Sequence, residues 1–301
     1  MPLGSKIRLA LVQFSPKEGD IEANLAIAKA LCGKKKADVW LFPHLFSSAA
    51  GAPDARRLAE PAGGKTPEFL RQLSQEKNSY AIGSYLAKNP RDARRPLIRS
   101  LAYNPEGVPV ASYDQIHLSS ISGEPEHFSA GTKLPFFDVF TFRSAMIGSY
   151  DLRFPELARE FALSWGFFLF VQGAFRQSEI HAWDAMLCAR AAENQMFVIG
   201  ANFGSQKEKR KSAEEPFGGH SGPEGNGPVG SSAHDPFGGH SAVYDPAGRK
   251  LHQAGEGEQV LILDIDPFQV EWNRNRFQYL TDSRMKLSGR SVYESEQDPD
   301  R

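Results

Sequence analysis

Residues 144–165 hold the arrangement that most restricts the fold: an apolar run, Ser144–Ile147, a tight polar turn from Gly148, and an amphipathic segment, Leu157–Trp165. The short run reads as a buried strand, and the apolar spacing beyond it as helix. Strand, turn and helix in that order form the unit of an α/β fold, whose chemistry sits at the C-terminal ends of strands. Ser149 occupies such an end, where a nucleophile would project.

The same unit recurs along the chain. Ile7–Gln13, Asp38–Phe42, Tyr80–Tyr85, Gly166–Val171 and Met196–Asn202 read as buried strands. Ile21–Cys32 reads as a helix with Leu25, Ala28 and Cys32 on one face. Thr66–Lys77 is a second helix, with Thr66 as N-cap and Pro67 at the first helical position. Ser178–Asn194 is a third, with Ile180, Trp183, Leu187 and Ala191 on one stripe. After a charged loop, Asn89–Pro96, the segments Leu97–Tyr103 and Val108–Tyr113 form a hairpin about Pro105-Glu106-Gly107. Ser241–Tyr244, a turn at Asp245-Pro246-Ala247-Gly248, and strands near Lys250 and over Gln259–Asp264 complete the ordered chain. Strands alternating with helices imply a layered α/β architecture.

One stretch departs from this pattern. From Ser205 to Asp235 the chain is Gly, Ser, Pro, Lys and Glu with almost no large apolar groups, and is expected to be a mobile insertion. Pro216-Phe217-Gly218-Gly219-His220-Ser221 recurs identically as Pro236-Phe237-Gly238-Gly239-His240-Ser241, a short duplication rather than a solenoid repeat. The expectation is a single domain over residues 5–287, interrupted at about 205–235, and a frayed tail over 288–301.

Charge and cysteine content exclude several classes. Lys+Arg 35 against Asp+Glu 36 gives a net charge of -1, which forecasts neither nucleic acid nor an anionic membrane as partner. Cys32 and Cys188 fall on apolar helix faces and read as core residues, not as a disulfide or metal site. His181, His220, His234 and His240 lack cysteine partners and His-x-His spacing, so no metal is expected, and no cofactor. No secretory signal or membrane-length apolar run is present, so the expectation is a cytoplasmic protein.

Six segments taken together resemble the nitrilase superfamily of carbon–nitrogen hydrolases. They are LALVQFSPKEGDIEANL, ADVWLFPHLF, YDQIHL, SYDLRFPELARE, HAWDAMLCARAAENQMFVIGAN and GGHSAVYDPAGRKLHQAGEGEQVLILDID, with RFQYLTDSR closing. They stand in the family's order and span nearly the whole chain outside the insertion. The resemblance implies a four-layer αββα sandwich. It also implies a homodimer or higher oligomer built on the helices at 155–165 and 178–194.

The family's catalytic set is a Glu base, a Lys that stabilises the oxyanion and a Cys nucleophile, often with a second Glu. At the matching positions this chain has His44, Gln115 and Ser149, and it keeps the second Glu as Glu124. Tyr150, Asp151, Arg153, Phe154, Pro155 and Glu156 follow the family pattern. Among these, Asp151, Arg153 and Glu156 read more naturally as turn-stabilising residues. Tyr150, Arg153, Phe175 and Trp183 are candidate substrate-binding residues, with core packing as the competing role for Phe175 and Trp183.

A serine hydroxyl is far less acidic than a thiol and needs an aligned base. A glutamine supplies no charge. The expectation is therefore a non-catalytic member that binds a small amide- or carboxylate-bearing ligand or associates with subunits. The alternative is an active amide or ester hydrolase with Ser149 as nucleophile, His44 as base and Gln115 as neutral oxyanion donor.

Overall fold

The computed structural model describes residues 6–49, 55–205 and 235–282. The expected insertion and the 288–301 tail lie outside the described residues, apart from the insertion's two ends.

Twelve strands form two six-stranded sheets. The first contains β1 (Ile7–Gln13), β2 (Val39–Leu41), β3 (Tyr80–Ala87), β4 (Leu97–Tyr103), β5 (Pro109–Asp114) and β12 (Gln259–Ile265), in the order β12-β1-β2-β3-β4-β5. The second contains β6 (Phe137–Val139), β7 (Phe142–Ile147), β8 (Phe168–Gln172), β9 (Phe197–Ala201), β10 (Ala242–Tyr244) and β11 (Lys250–Gln253), in the order β11-β10-β9-β8-β7-β6. In each sheet a parallel trio lies at the centre, β1-β2-β3 and β7-β8-β9, with antiparallel strands outside it.

Strand β1 shows how the layers arise. Ile7, Leu9 and Leu11 point into the core shared with Met146, Phe168 and Val198 of the second sheet. Ala10 and Val12 point the other way, into a core with Ala28, Cys32 and Leu70 of the covering helices. Period-two alternation with both faces apolar requires cover on both sides, which gives the four-layer αββα sandwich. Helices α1 (Ile21–Cys32) and α3 (Lys65–Lys77) cover the first sheet. Helices α5 (Pro155–Leu163) and α6 (Ile180–Asn194) cover the second, burying Leu157, Phe161, Trp183 and Leu187. Shorter pieces are α2 (Ala55–Leu58), α4 (Glu124–His127), α7 (Gln269–Arg276) and α8 (Tyr279–Asp282).

Several details differ from the sequence expectation. Helix α3 begins at Lys65 with Gly64 as N-cap, and Thr66 is not a cap. Its backbone N–H and hydroxyl both donate to the Glu60 carboxylate instead. In α1 the buried stripe is Asn24, Ala28 and Cys32, with Leu25 only half-buried. Asn24 fits there because its amide bonds Lys17 and Ser47 backbone groups. Helix α5 ends at Leu163, and Trp165 beyond it takes a left-handed φ of 61°. Leu163 and Trp165 stay exposed in the single chain. No helix among the described residues is long and apolar enough to cross a membrane.

Candidate active site

Strand β7 delivers Gly148 and Ser149 to the sheet's C-terminal edge, and a 3-10 turn, Tyr150–Arg153, leads into α5 with Pro155 at its first position. The turn is tied to the other sheet. Asp151 is fully buried and accepts from the Tyr113 hydroxyl, from the His117 N–H at 2.8 Å, and lies 2.9 Å from His117 Nδ1. The His117 ring stacks on Phe154 at 3.6 Å. The Arg190 guanidinium, on α6, donates to the Leu152 carbonyl at 3.1 Å. The Asp151 carboxylate is held by several donors at once, which fixes the turn in one geometry. Asp151 is thus a tether between the segment after β5 and the turn after β7, the structural role expected for it. Arg153 pairs with Glu179 and sits 5.3 Å over the Phe175 ring.

Behind this frame the four candidate catalytic side chains come from four segments. Ser149 Oγ is half-buried and accepts from the Ala174 N–H at 3.2 Å. The His44 backbone N–H donates to Gly173 O at 3.0 Å, so the 173–174 loop touches both His44 and Ser149. No hydrogen bond joins the two side chains. Among the described residues the His44 imidazole has no hydrogen-bond partner at all, and its Nδ1 is buried. Burial lowers its pKa to about 4, so the ring is neutral near pH 7.

Gln115 shows the clearest change of chemistry. Its Nε2 donates to His117 O at 2.9 Å and to Glu124 Oε2 at 3.2 Å. Both partners are acceptors, which fixes the orientation of the carboxamide and commits both of its hydrogens. Its Oε1 is buried without a partner, beside Gly148. A Cβ at 148 would lie 2.7 Å from that oxygen, so a larger residue there would force the Gln115 amide to shift. Both Gln115 side-chain N–H groups are thus bonded within the protein, and its acceptor oxygen faces Gly148. Glu124 is half-buried and accepts from Ser119 N–H at 2.7 Å. Burial raises its pKa, with the Ser119 N–H acting against that and the Asp151 charge adding to it.

Two of the proposed substrate contacts lie in the core. Trp183 is fully buried, and its Nε1 donates to His240 O at 2.9 Å. Its ring packs against Gly173 and Gly200, where no Cβ fits. Phe175 is buried and packs on Trp183 with ring centroids 5.0 Å apart. Both shape the 173–178 loop from beneath. Tyr150 and Arg153 remain half-exposed at the turn. Cys32 is buried, with its pKa pushed up to about 12 by desolvation, and the Cys188 thiol lies 3.3 Å from Gly248 O. Among the described residues no group of three His, Cys, Asp or Glu is placed to hold a metal ion. The sequence reading missed His117 and the Ala174 N–H. His117 stands inside YDQIHL and was open to notice; a backbone donor leaves no residue-type signal.

The sequence that folds in this way matches a known family profile. That of the carbon-nitrogen hydrolases covers residues 8–274. This chain belongs to that family, within the nitrilase superfamily. A 2-oxoglutaramate amidase of Bacillus subtilis (strain 168) is 25% identical over 265 residues, 87% of this chain and 91% of the relative. The Saccharomyces cerevisiae protein Nit3, a member of branch 10 of the nitrilase superfamily, superposes with a TM-score of 0.74 at 25% identity, over 91% of this chain and 95% of that one. The amidase from Nesterenkonia sp. AN1, as a Glu-to-Gln, Cys-to-Ala double mutant in complex with acrylamide, gives a TM-score of 0.74 at 22% identity, over 94% and 96%.

Proposed function

We propose that the pocket at Ser149 binds a small amide and does not hydrolyse it efficiently. The observation that carries this reading is Gln115: a neutral carboxamide with both hydrogens bonded elsewhere stands where the family uses a lysine cation. Loss of one oxyanion stabiliser costs about 10²–10³ in rate. An uncoupled base forgoes a further ~10²–10⁴. Without a bond to His44, the Ser149 hydroxyl keeps its proton, and a ring whose pKa lies near 4 is a weak acceptor for it. Amide binding without the usual catalytic pair has support in the Nesterenkonia amidase, where the double mutant holds acrylamide.

A second reading is a working amidase that uses Ser149 with His44. The comparisons favour it, since relatives across most of the chain are named 2-oxoglutaramate amidase or omega-amidase. The neutral His44 ring is also the protonation state a general base requires. Ammonia or acid release from a panel of amides, nitriles, carbamoyl compounds and esters, compared with Ser149→Ala, separates the two. Binding of short amides with no release that depends on Ser149 supports the first. Turnover abolished by Ser149→Ala establishes the second.

A further inference from the structure

Where β1, β2 and β3 begin, six cations line one cleft of about 730 Å³: Lys6, Arg8, Lys34, Lys35, Lys36 and Lys77. Lys6 stands just before β1, Asp38 just before β2 and Asn78 two residues before β3, and all three line the cleft. It therefore lies at the opposite ends of these strands from His44, which follows β2. The whole chain has a net charge of -1, but here six cations meet only three carboxylates, Asp38, Glu76 and Asp264. Three of the cations have a role in the fold. Arg8 pairs with Asp264, Nε to Oδ1 at 2.7 Å and Nη2 to Oδ2 at 3.0 Å. Lys35 Nζ donates to Leu31 O at 3.0 Å and Lys77 Nζ to Gly33 O, which satisfies carbonyls at the C-terminal end of α1. Asp38 is engaged as well, accepting from the Arg8 N–H at 2.7 Å. That leaves Lys6, Lys34 and Lys36, which are exposed and have no hydrogen-bond or ion-pair partner among the described residues.

Like charges gathered without counter-charges concentrate positive potential in a cleft and draw anions into it. We propose that this cleft is a second binding site, for a small molecule carrying two or more linked phosphoryl groups, held by the ammonium groups of Lys6, Lys34 and Lys36. The volume is that of a small-molecule site, which spans about 300–1,000 Å³, rather than of an extended nucleic-acid surface. Among the lining residues only Ala37 is apolar and none is aromatic, so charge and hydrogen bonds carry the recognition and no ring is stacked. Lysine suits this ligand. Each ammonium is a compact charge with three donors and meets phosphate oxygens from any direction, whereas a guanidinium favours a fixed planar fork. The free ammonium groups come from two segments, residue 6 and residues 34–36. Linked phosphoryl groups spread their charge over both, while a single phosphate offers one tetrahedron of oxygens. The site stands apart from the pocket at Ser149, so it does not depend on the function proposed for that pocket.

Isothermal titration of the full chain with inorganic tripolyphosphate tests the proposal. Binding should saturate at a single site and weaken as salt rises from about 50 to about 200 mM. Orthophosphate should bind at least ~10-fold more weakly, having fewer oxygens to share among the ammonium groups. The double variant Lys34→Gln, Lys36→Gln should weaken tripolyphosphate binding at least ~10-fold, through the loss of two charge-assisted contacts. Lys6→Gln, on the separate segment, should weaken it ~3-fold or more and provides a second reading if the double variant folds poorly. The charge-matched control Lys17→Gln, Lys88→Gln lies beyond the C-terminal ends of β1 and β3 and should change binding by less than ~2-fold. The proposal is overturned if tripolyphosphate gives no saturable binding, if the cleft variants bind it as the native chain does, or if the control pair matches their loss. Equal affinity for orthophosphate overturns the requirement for linked phosphoryl groups. Tighter binding of a hexaglutamate peptide than of tripolyphosphate overturns the ligand class in favour of an acidic protein segment.

Discussion

The turn after β7 and the side chains of His44 and Gln115 differ in how their polar atoms are met. In the turn, Asp151 is buried and its oxygens meet Tyr113 and His117. In the floor, His44 Nδ1 and Gln115 Oε1 are buried with no partner. A buried polar atom without a hydrogen bond costs about 1–3 kcal/mol, and native proteins hold few of them. The frame is thus maintained by its own energetics, because each group in it depends on the others for folding.

The contrast can be broken at its strongest point first. Asp151→Ala removes the buried acceptor that the Tyr113 hydroxyl and the His117 N–H share, and should cost about 3–5 kcal/mol in urea unfolding. A loss below 1 kcal/mol would show that the turn does not depend on the tether.

The floor predicts a pH effect of comparable size. The folded pKa of His44 lies near 4, below its ordinary value of 6.5. Between those two values the unfolded chain binds a proton that the folded chain does not, so stability falls as pH drops from about 6.5 to about 4. The full difference corresponds to about 3 kcal/mol. His44→Leu should remove that slope and cost little at pH 7, since it deletes a group with no hydrogen bond. An unchanged pH profile in His44→Leu would mean that the imidazole is hydrated or charged in the folded state.

The smallest effect belongs to the rim. Arg153 and Glu179 form an ion pair with both side chains partly exposed. Arg153→Gln should therefore change stability by less than about 1 kcal/mol, measured by the same unfolding titration. A larger loss would place the rim within the frame.

Much of the frame was legible in the sequence and much of the floor was not. Apolar runs located most of the strands, because parallel strands covered on both faces leave no polar alternation. The stripe Ile180, Trp183, Leu187 and Ala191 located α6, and all four residues are buried. Helix α7 was missed because Gln269–Arg276 is polar nearly all round; it is held by tertiary bonds, among them the Arg274 guanidinium to Gly166 O at 2.6 Å. The identities His44, Gln115 and Ser149 were visible from the resemblance. Which way the Gln115 amide faces was not, because it depends on where the His117 carbonyl and Glu124 fall. Trp183 was open to a binding role until its indole N–H was seen bonded to His240 O.

The proposed function holds that His44, Gln115 and Ser149 limit the chemistry at the end of β7. The most direct measurement is ammonia release from short amides by the triple variant His44→Glu, Gln115→Lys, Ser149→Cys beside the native chain. Release should be at least ~10²-fold faster in the triple variant, from the added charge and thiolate. Native turnover equal to or above that of the triple variant would contradict it.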